Sequence, residues 1–435
     1  RCPRLSLHER PHTHIATACQ VSSDRETRMA QQAAEGGQRP AGEEQEEVII
    51  VGAGPSGLAA AACLSLRGVP SLVLERDDCV GSLWRNRTYD RVRLHLAKQH
   101  CALPHAPHDA AAPTYLPRDD FVRYLEGYAS RFGLRVRLRR EVREARFDEA
   151  RGEWVVDAVD LATGKTERYA TKHLVAAAGE NDEKVVPEVP GLEGFPGKVL
   201  HACEYRTAKG MEGKAVLVVG SGNSGMEIAY DLAEAGAVTS IIVRSELHLV
   251  TKEIWNLAMT LYGYHLPLWL IDRIVLLMCH VVFGDTSRYG LRRPAIGPFS
   301  MKINTPAYPV VDVGTYAKIR TGEIQVLPEM RSVHGNVVEF ADGKRRPFDA
   351  IVFATGYRST TKQWLKSDDG LIGEDGMARR SFPEHWKGKN GLYCAGMVRR
   401  GLYGSCEDGE FIAEDISSKK KHQTKPDDGH EKKSN

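Results

Sequence analysis

The sequence predicts an α/β fold of two Rossmann-like dinucleotide-binding domains, the second inserted in the first, and three observations predict it. Two apolar strand-type runs each lead through a G-x-G-x-x-G turn into a helical run, at Gly52 and again at Gly220. Three further apolar runs each end in glycine. The chain has 435 residues and 42% hydrophobic content, enough for two or three domains of about 100–200 residues each.

In the first unit, Val48-Ile49-Ile50-Val51 runs into Gly52-Ala53-Gly54-Pro55-Ser56-Gly57, and Leu58 to Arg67 reads as a helix. Gly52 permits the tight turn, and Gly54 lets the backbone approach a pyrophosphate at the helix N-terminus. Gly57 allows the helix to pack against the strand. The next strand, Ser71 to Leu74, ends in Glu75, close to the spacing of about 20 residues at which an acid binds a ribose hydroxyl. A glycine turn alone is weak evidence; strand, turn, helix, strand and acid in this order make a complete unit.

The second unit repeats the pattern. Ala215 to Val219 precedes Gly220-Ser221-Gly222-Asn223-Ser224-Gly225, and Met226 to Ala235 reads as the helix. Here the following strand, Val238 to Val243, ends in Arg244 instead of an acid. An arginine there can pair with a ribose 2'-phosphate, which favours NADPH over NADH; the alternative is a solvated arginine at a strand end. The runs Leu174 to Gly179, Ile351 to Gly356 (with Thr355) and Leu392 to Gly396 are buried strands whose terminal glycines bring backbone close to a nucleotide, although any one of them is commonly just a core strand and a turn. Two dinucleotide sites in adjacent domains suit hydride transfer between cofactors. FAD is assigned to the unit ending in Glu75 and NADPH to the unit ending in Arg244.

Composition narrows the partners. With 59 basic against 57 acidic residues the formal charge is +2, so no strong field argues for nucleic acid. The nine cysteines include no C-x-x-C or C-x4-C pair, which disfavours a structural zinc, a dithiol centre or a disulfide framework and fits reduced thiols in the cytoplasm. No metal site is expected. The apolar stretch Ile254 to Phe283 is interrupted by His265, Asp272, Arg273 and His280, so it reads as core or cavity-forming helices and not as a membrane span, while leaving room for peripheral contact with a membrane such as the endoplasmic reticulum surface. The expected organisation is a disordered extension (1–46, with Met29 a plausible start), the first part of the FAD domain (47–205), the NADPH domain (206–350) with an apolar helical insertion (252–300), a return to the FAD domain (351–416) and a disordered tail (417–435).

Electrons held by such a protein can pass to a disulfide, a carrier or oxygen, and the missing cysteine pair removes the first. Just before the second glycine turn stand Phe195, Gly197, His201 and Tyr205 in the pattern F-x-G-x-x-x-H-x-x-x-Y. This resembles the identifying motif of the flavin-containing monooxygenases. Read without the family, His201 is more often a hydrogen-bonded structural histidine than a catalyst, and a domain-coupling role for the motif agrees with that. The segments Leu83 to Asp90, Leu94 to Gln99, Gly222 to Glu227, Asp312 to Thr315 and Arg399 to Leu402 are similar to the plant YUCCA branch of that family, with likeness from about Val48 to Ile416. Two places depart from the family pattern: Cys79-Val80-Gly81-Ser82 replaces a Gly-Gly pair, and Cys406-Glu407-Asp408 is irregular.

The resemblance implies oxidative decarboxylation of indole-3-pyruvate to the auxin indole-3-acetate with NADPH and oxygen, by way of a peroxide adduct of the flavin. It places Trp84, Asn86 and Lys98 near the flavin ring; read from the residues alone, they are equally a core aromatic, a turn residue and a solvated charge. Lys98 and Arg400 are candidates to hold the carboxylate of an aromatic 2-oxo acid. Rival readings are oxygenation of nitrogen or sulfur, simple NADPH oxidation, and a non-catalytic nucleotide-binding regulator.

Overall fold

The computed structural model describes residues 42–305 and 307–423. The first sheet begins with β1 (Glu43–Val51), which passes through the first glycine turn into α1 (Pro55–Leu66) and returns as β2 (Leu72–Leu74). After α2 (Ser82–Asn86) and α3 (Arg118–Arg131) come β3 (Arg135–Arg137), β4 (Arg140–Asp148), β5 (Glu153–Asp160) and β6 (Thr166–Ala176). Their spatial order is β3-β2-β1-β6-β5-β4, parallel from β3 to β6 and antiparallel beyond. Every residue of β1 from Val48 to Val51 is buried, as expected of a parallel strand covered on both faces.

The chain then crosses through β7 (Glu183–Lys184) to a second sheet made from β8 (Lys198–His201), β9 (Ala215–Val219), α4 (Asn223–Glu234) and β10 (Val238–Ile242). An excursion follows: β11 (Leu249–Val250), α5 (Lys252–Gly263), α6 (Leu268–Phe283), α7 (Pro298–Asn304), β12 (Val310–Val311) and α8 (Thr315–Thr321). The sheet resumes with β13 (Ile324–Leu327), carries the meander β14 (Met330–His334), β15 (Val337–Phe340) and β16 (Arg345–Pro347), and closes with β17 (Ala350–Phe353). Its order is β13-β10-β9-β17-β8, all parallel. β18 (Tyr357–Arg358) pairs antiparallel with β7, so the outgoing and returning crossovers form one ribbon. α9 (Thr361–Trp364), β19 (Leu392–Cys394), which joins the first sheet beside β6, and α10 (Gly401–Gln423) complete the chain.

The insertion topology is as predicted, but the strands divide the chain elsewhere. β8 and β17 belong to the second sheet, so the crossings lie at Glu183–Lys184 and Tyr357–Arg358 and not near 205 and 350. β17 must sit between β8 and β9 to bury Ile351 and Val352, which are fully inaccessible. The extension expected over 1–46 also ends too late. Glu43 to Thr171-facing Glu46 pair along β6, and the acids that look like solvated charge meet arginines: Glu43 with Arg151, Glu44 with Arg137 and Glu46 with Arg135. Residues 1–41, including Met29, lie outside the described residues.

The expected disordered tail is helical as far as Gln423. Lys419 reaches Asp415 at 2.9 Å and the Tyr393 hydroxyl at 3.0 Å, and Lys420 reaches Glu47 at 2.8 Å, so these lysines tie α10 to the first sheet. The remainder of that segment lies outside the described residues. In the insertion, Ile254, Trp255, Ile271 and Val275 join the core of the second unit. Asp272 is buried and accepts from the Phe299 amide at 2.7 Å, which fixes the start of α7. Among the described residues no helix is long and apolar enough to cross a membrane.

Candidate active site

The two glycine turns are built alike, atom for atom where sterics decide. At Gly52 (φ 108°) a Cβ would lie 2.5 Å from the Ala177 carbonyl oxygen, and at Gly220 (φ 112°) 2.5 Å from that of Ala354. A Cβ at Gly57 would meet the Gly52 oxygen at 1.9 Å, and one at Gly225 the Gly220 oxygen at 2.0 Å. Gly52 and Gly220 therefore let each turn pack against the end of a neighbouring strand, β6 in one unit and β17 in the other, while Gly57 and Gly225 let the helix start close over the turn's first glycine. Gly54 and Gly222 instead have no heavy atom within 4 Å of a Cβ position. Each is the N-cap of its helix, α1 or α4, where free amides face outward and favour an anion. Both turns thus fit a pyrophosphate.

Around the first turn lies a cavity of about 510 Å³, a cofactor-sized space, lined by Gly52, Gly54, Ser56, Glu75, Trp84, Gly179, Gly396 and Ser405 among others. Glu75 is 7% exposed; its carboxylate accepts from the Ala53 amide at 2.7 Å and the Asp77 amide at 2.9 Å, tying the glycine turn to the end of β2. Burial pushes this carboxyl above its ordinary range, against the downward pull of those amides. On the opposite wall Ser405 of α10 meets Ser56 at 2.7 Å, and Gly396 comes so close that a Cβ would lie 2.1 Å from Ser56 Oγ. The irregular Cys406-Glu407-Asp408 segment has a structural role: fully buried Asp408 accepts from the Gly396 amide at 2.8 Å and pairs with His385 at 2.7 Å, holding this wall. Nothing local in the sequence signals that pair, because its members are far apart along the chain.

At the second turn Arg244 is 74% exposed and makes one loose contact, 3.6 Å to Glu329, leaving its guanidinium open to a phosphate. Asn223 is otherwise engaged. Its side-chain oxygen accepts from the Val311 amide at 2.8 Å and its nitrogen donates to the Pro309 carbonyl at 3.3 Å, pinning the end of the insertion to α4. The Thr355 hydroxyl donates to the Val185 carbonyl, and Ser224 stands near the Tyr89 hydroxyl, so both side chains lie against other parts of the protein.

The F-x-G-x-x-x-H-x-x-x-Y motif docks its own strand. Phe195 enters the core of the second sheet, and a Cβ on Gly197 would lie 2.2 Å from the Asp349 carbonyl oxygen. His201, 1% exposed, donates from Nε2 to the Gly356 carbonyl at 3.1 Å and accepts the Cys203 amide on Nδ1 at 3.3 Å; a carbonyl can only accept, which fixes the tautomer. Burial lowers its pKa. The Tyr205 hydroxyl donates to Asp231 of α4 at 2.6 Å. Since Gly356 opens the returning crossover, the motif fixes where the second unit joins the first.

Of the three candidates for the flavin ring, only Trp84 lines the cavity, held edge-on by Phe121 with ring centroids 4.9 Å apart. Asn86 turns to Cys79 Sγ at 3.7 Å, and its carbonyl receives the Arg206 guanidinium. Lys98 is a loop clamp: its ammonium donates to the carbonyls of Asp109, Ala110 and Ala112 at 2.9, 2.7 and 2.8 Å, which leaves no proton for a substrate. Arg400 is also committed, paired with Glu407 and stacked over Phe382 at 3.8 Å. A group that sequence reasoning missed stands on the cavity wall: Glu180, paired with Arg399 at 3.4 Å and with the Tyr308 hydroxyl at 3.1 Å. One cluster of metal-ligating types occurs among the described residues, Cys63, His105 and Glu410, but Arg67 already occupies Glu410 at 2.9 Å.

Comparison with known proteins agrees with this geometry. Residues 49–256 match the family model described as pyridine nucleotide-disulphide oxidoreductase. Among solved structures, a flavin-containing monooxygenase from Stenotrophomonas maltophilia superposes with a TM-score of 0.64 at 20% identity, covering 86% of this chain and 99% of its own. Cyclohexanone monooxygenase does so at 0.65 and 18%, covering 87% and 88%; at such identities these show the fold. In sequence, the probable indole-3-pyruvate monooxygenase YUCCA10 of Arabidopsis thaliana is 45% identical over 85% of this chain and 97% of its own. Its relative YUCCA6 is 46% identical over 85% and 89%, and YUCCA1 of Oryza sativa subsp. japonica 45% over 87% and 94%. With two like-built glycine turns in nested α/β units and this identity along most of its length, the chain belongs to the YUCCA family of flavin-dependent monooxygenases.

Proposed function

We propose that this chain is an FAD- and NADPH-dependent monooxygenase that converts indole-3-pyruvate, oxygen, NADPH and a proton into indole-3-acetate, carbon dioxide, water and NADP⁺. The observation that carries the cofactor reading is the pair of matched turns, Gly52 to Gly57 and Gly220 to Gly225, each with an open middle glycine at a helix N-terminus. The relatives named above carry the substrate reading.

In this reading Gly54, the N-terminus of α1 and Glu75 hold FAD, with Trp84 and Ser405 on the same cavity wall. Gly222, the N-terminus of α4 and Arg244 hold NADPH. Bound together, the cofactors supply hydride transfer and activation of oxygen. The protein holds and orients them. His201 and Tyr205 set the second unit against the crossover ribbon, so the two sites keep a fixed relation. Trp255, Ala258 and Met259 of the insertion are buried and give the second unit an apolar flank that excludes water. The balance sheet of the reaction asks for no nucleophilic side chain. The cytoplasm suits this chemistry and the free thiols, and the exposed face of α6, with Trp269, Leu277 and Val281, is where peripheral membrane contact would occur.

The test is FAD-reconstituted protein mixed with NADPH, oxygen and indole-3-pyruvate, with indole-3-acetate followed by mass spectrometry beside NADPH loss and peroxide. Product equal to NADPH consumed is expected. NADPH loss matched by peroxide alone would refute the substrate and direct attention to amines and thioethers.

A further inference from the structure

The insertion brings a lysine ammonium within reach of charges of the first unit. Lys302 lies on α7, and among the described residues no hydrogen bond or ion pair ends on its ammonium. Its ammonium lies over the face of Trp255, 5.8 Å from nitrogen to ring centroid. That indole is fixed by Phe299 at 5.3 Å between centroids, and Phe299 by Tyr262 at 5.2 Å, so the lysine rests on a rigid aromatic base. The side chain keeps some accessible surface, while its ammonium is enclosed enough that burial, with Arg400 nearby, draws the pKa down to about 8.

The neighbouring charges are already matched. Arg399 lies between Glu180 at 3.4 Å and Asp375 at 3.2 Å, and Arg400 is held by Glu407. Glu180, the acid that acts on Lys302 electrostatically, also takes the Tyr308 hydroxyl. Glu180 and Arg399 belong to the wall of the 510 Å³ cavity, and Lys302, outside that lining, is within electrostatic reach of Glu180. Tyr308, bonded to Glu180, and Tyr403, whose ring centroid lies 5.6 Å from the Arg400 guanidinium, are 37% and 43% exposed, so each offers ring surface near these charges. A partly desolvated ammonium without an anion is costly unless a ligand completes it.

We infer that Lys302 binds the carboxylate of the aromatic 2-oxo acid, with Tyr308 and Tyr403 offering surface to its ring. The inference rests on the function proposed above and assigns to Lys302 the role that Lys98 and Arg400 are too engaged to play. Lys302 is a binding residue here; it takes no part in bond making.

The experiment compares full-length, FAD-loaded wild type with Lys302→Met and Lys302→Arg, flavin absorbance serving as the check on folding. Competitive inhibition by phenylacetate and by phenylacetamide separates charge from shape. Wild type should prefer the carboxylate. Lys302→Met should lose that preference and raise the KM for indole-3-pyruvate roughly ten- to hundredfold, the range for a charged hydrogen bond, while Lys302→Arg retains most of it. A Met variant with wild-type KM and undiminished preference for the carboxylate overturns the inference. If the Met variant loses its flavin, Lys302→Gln gives the same reading under the same criteria. Wild type that makes no indole-3-acetate overturns the function, whereas wild type that makes it while both neutral variants keep their KM overturns only the anchor.

Discussion

Replacing Gly54 and Gly57 by alanine, one at a time, should separate the two duties of the first turn. At Gly57 the added Cβ would lie 1.9 Å from the Gly52 carbonyl oxygen and 3.1 Å from its carbon, both backbone atoms that no rotamer change can move. Alanine inside a helix is otherwise favoured over glycine by about 1 kcal/mol. Relieving the overlap requires α1 to lift from β1, at the upper end of overpacking costs, about 3 kcal/mol or more, so the balance is a loss of at least about 2 kcal/mol. Gly54 has φ −75° and ψ 179°, extended backbone open to any residue, with nothing within 4 Å of the new methyl. Stability of the flavin-free Gly54→Ala protein should therefore stay within about 0.5 kcal/mol of wild type. The methyl instead stands where a pyrophosphate must come, and FAD should bind roughly ten- to hundredfold more weakly, about 1.4–2.8 kcal/mol. Urea unfolding of the flavin-free proteins and titration of flavin fluorescence measure the two quantities. Wild-type FAD affinity in Gly54→Ala would refute the phosphate cradle, and wild-type stability in Gly57→Ala would refute the steric argument.

Three further outcomes follow from the same geometry. Arg244→Gln should raise the KM for NADPH about tenfold or more and leave that for NADH little changed, because an exposed guanidinium with one loose partner has only the 2'-phosphate to lose; an equal effect on both nucleotides would count against it. Lys98→Met should destabilise the protein by about 1–2 kcal/mol in urea, through loss of three half-exposed bonds to carbonyls, without a specific rise in the KM for indole-3-pyruvate. Burial, reinforced by Lys419, draws His173 down to about 4 from 6.5, so the unfolded chain binds more protons between those values and stability falls as pH drops through that window. His173→Leu should flatten the fall by on the order of 2–3 kcal/mol; an unchanged pH profile of unfolding would exclude this histidine as its source.

The cofactor frame was legible in the sequence because its determinants are local. Gly52, Gly54, Gly57 and Glu75, with their counterparts Gly220, Gly222 and Gly225, act through turns and strand ends a few residues away, and their spacing survives in a linear reading. That Arg244 follows the second strand of its unit was legible for the same reason. Boundaries were less so: the acids of Glu43 to Glu46 and the lysines beyond Ser417 look solvated until the tertiary structure brings Arg135, Arg137, Arg151, Asp415 and Glu47 to them. Likewise, β8 and β17 read as parts of the first domain because order along the chain does not say which sheet receives a strand.

Side-chain assignment within the site was decided by tertiary structure alone. Lys98, Asn223 and Thr355 have the right chemistry for ligands, yet each finds protein atoms first: carbonyls at 109 to 112, the strand at 309 to 311, and Val185. Conversely, His385 with Asp408, Glu180 with Tyr308, and Lys302 on Trp255 join residues separated in sequence, and only packing between elements brings each pair together. Two dinucleotide turns, their order and the family can be read along the chain, since backbone geometry at glycine and strand ends is local. Which polar groups remain free to meet a ligand depends on packing between distant segments, because a hydrogen bond already made within the protein cannot be seen from either partner alone.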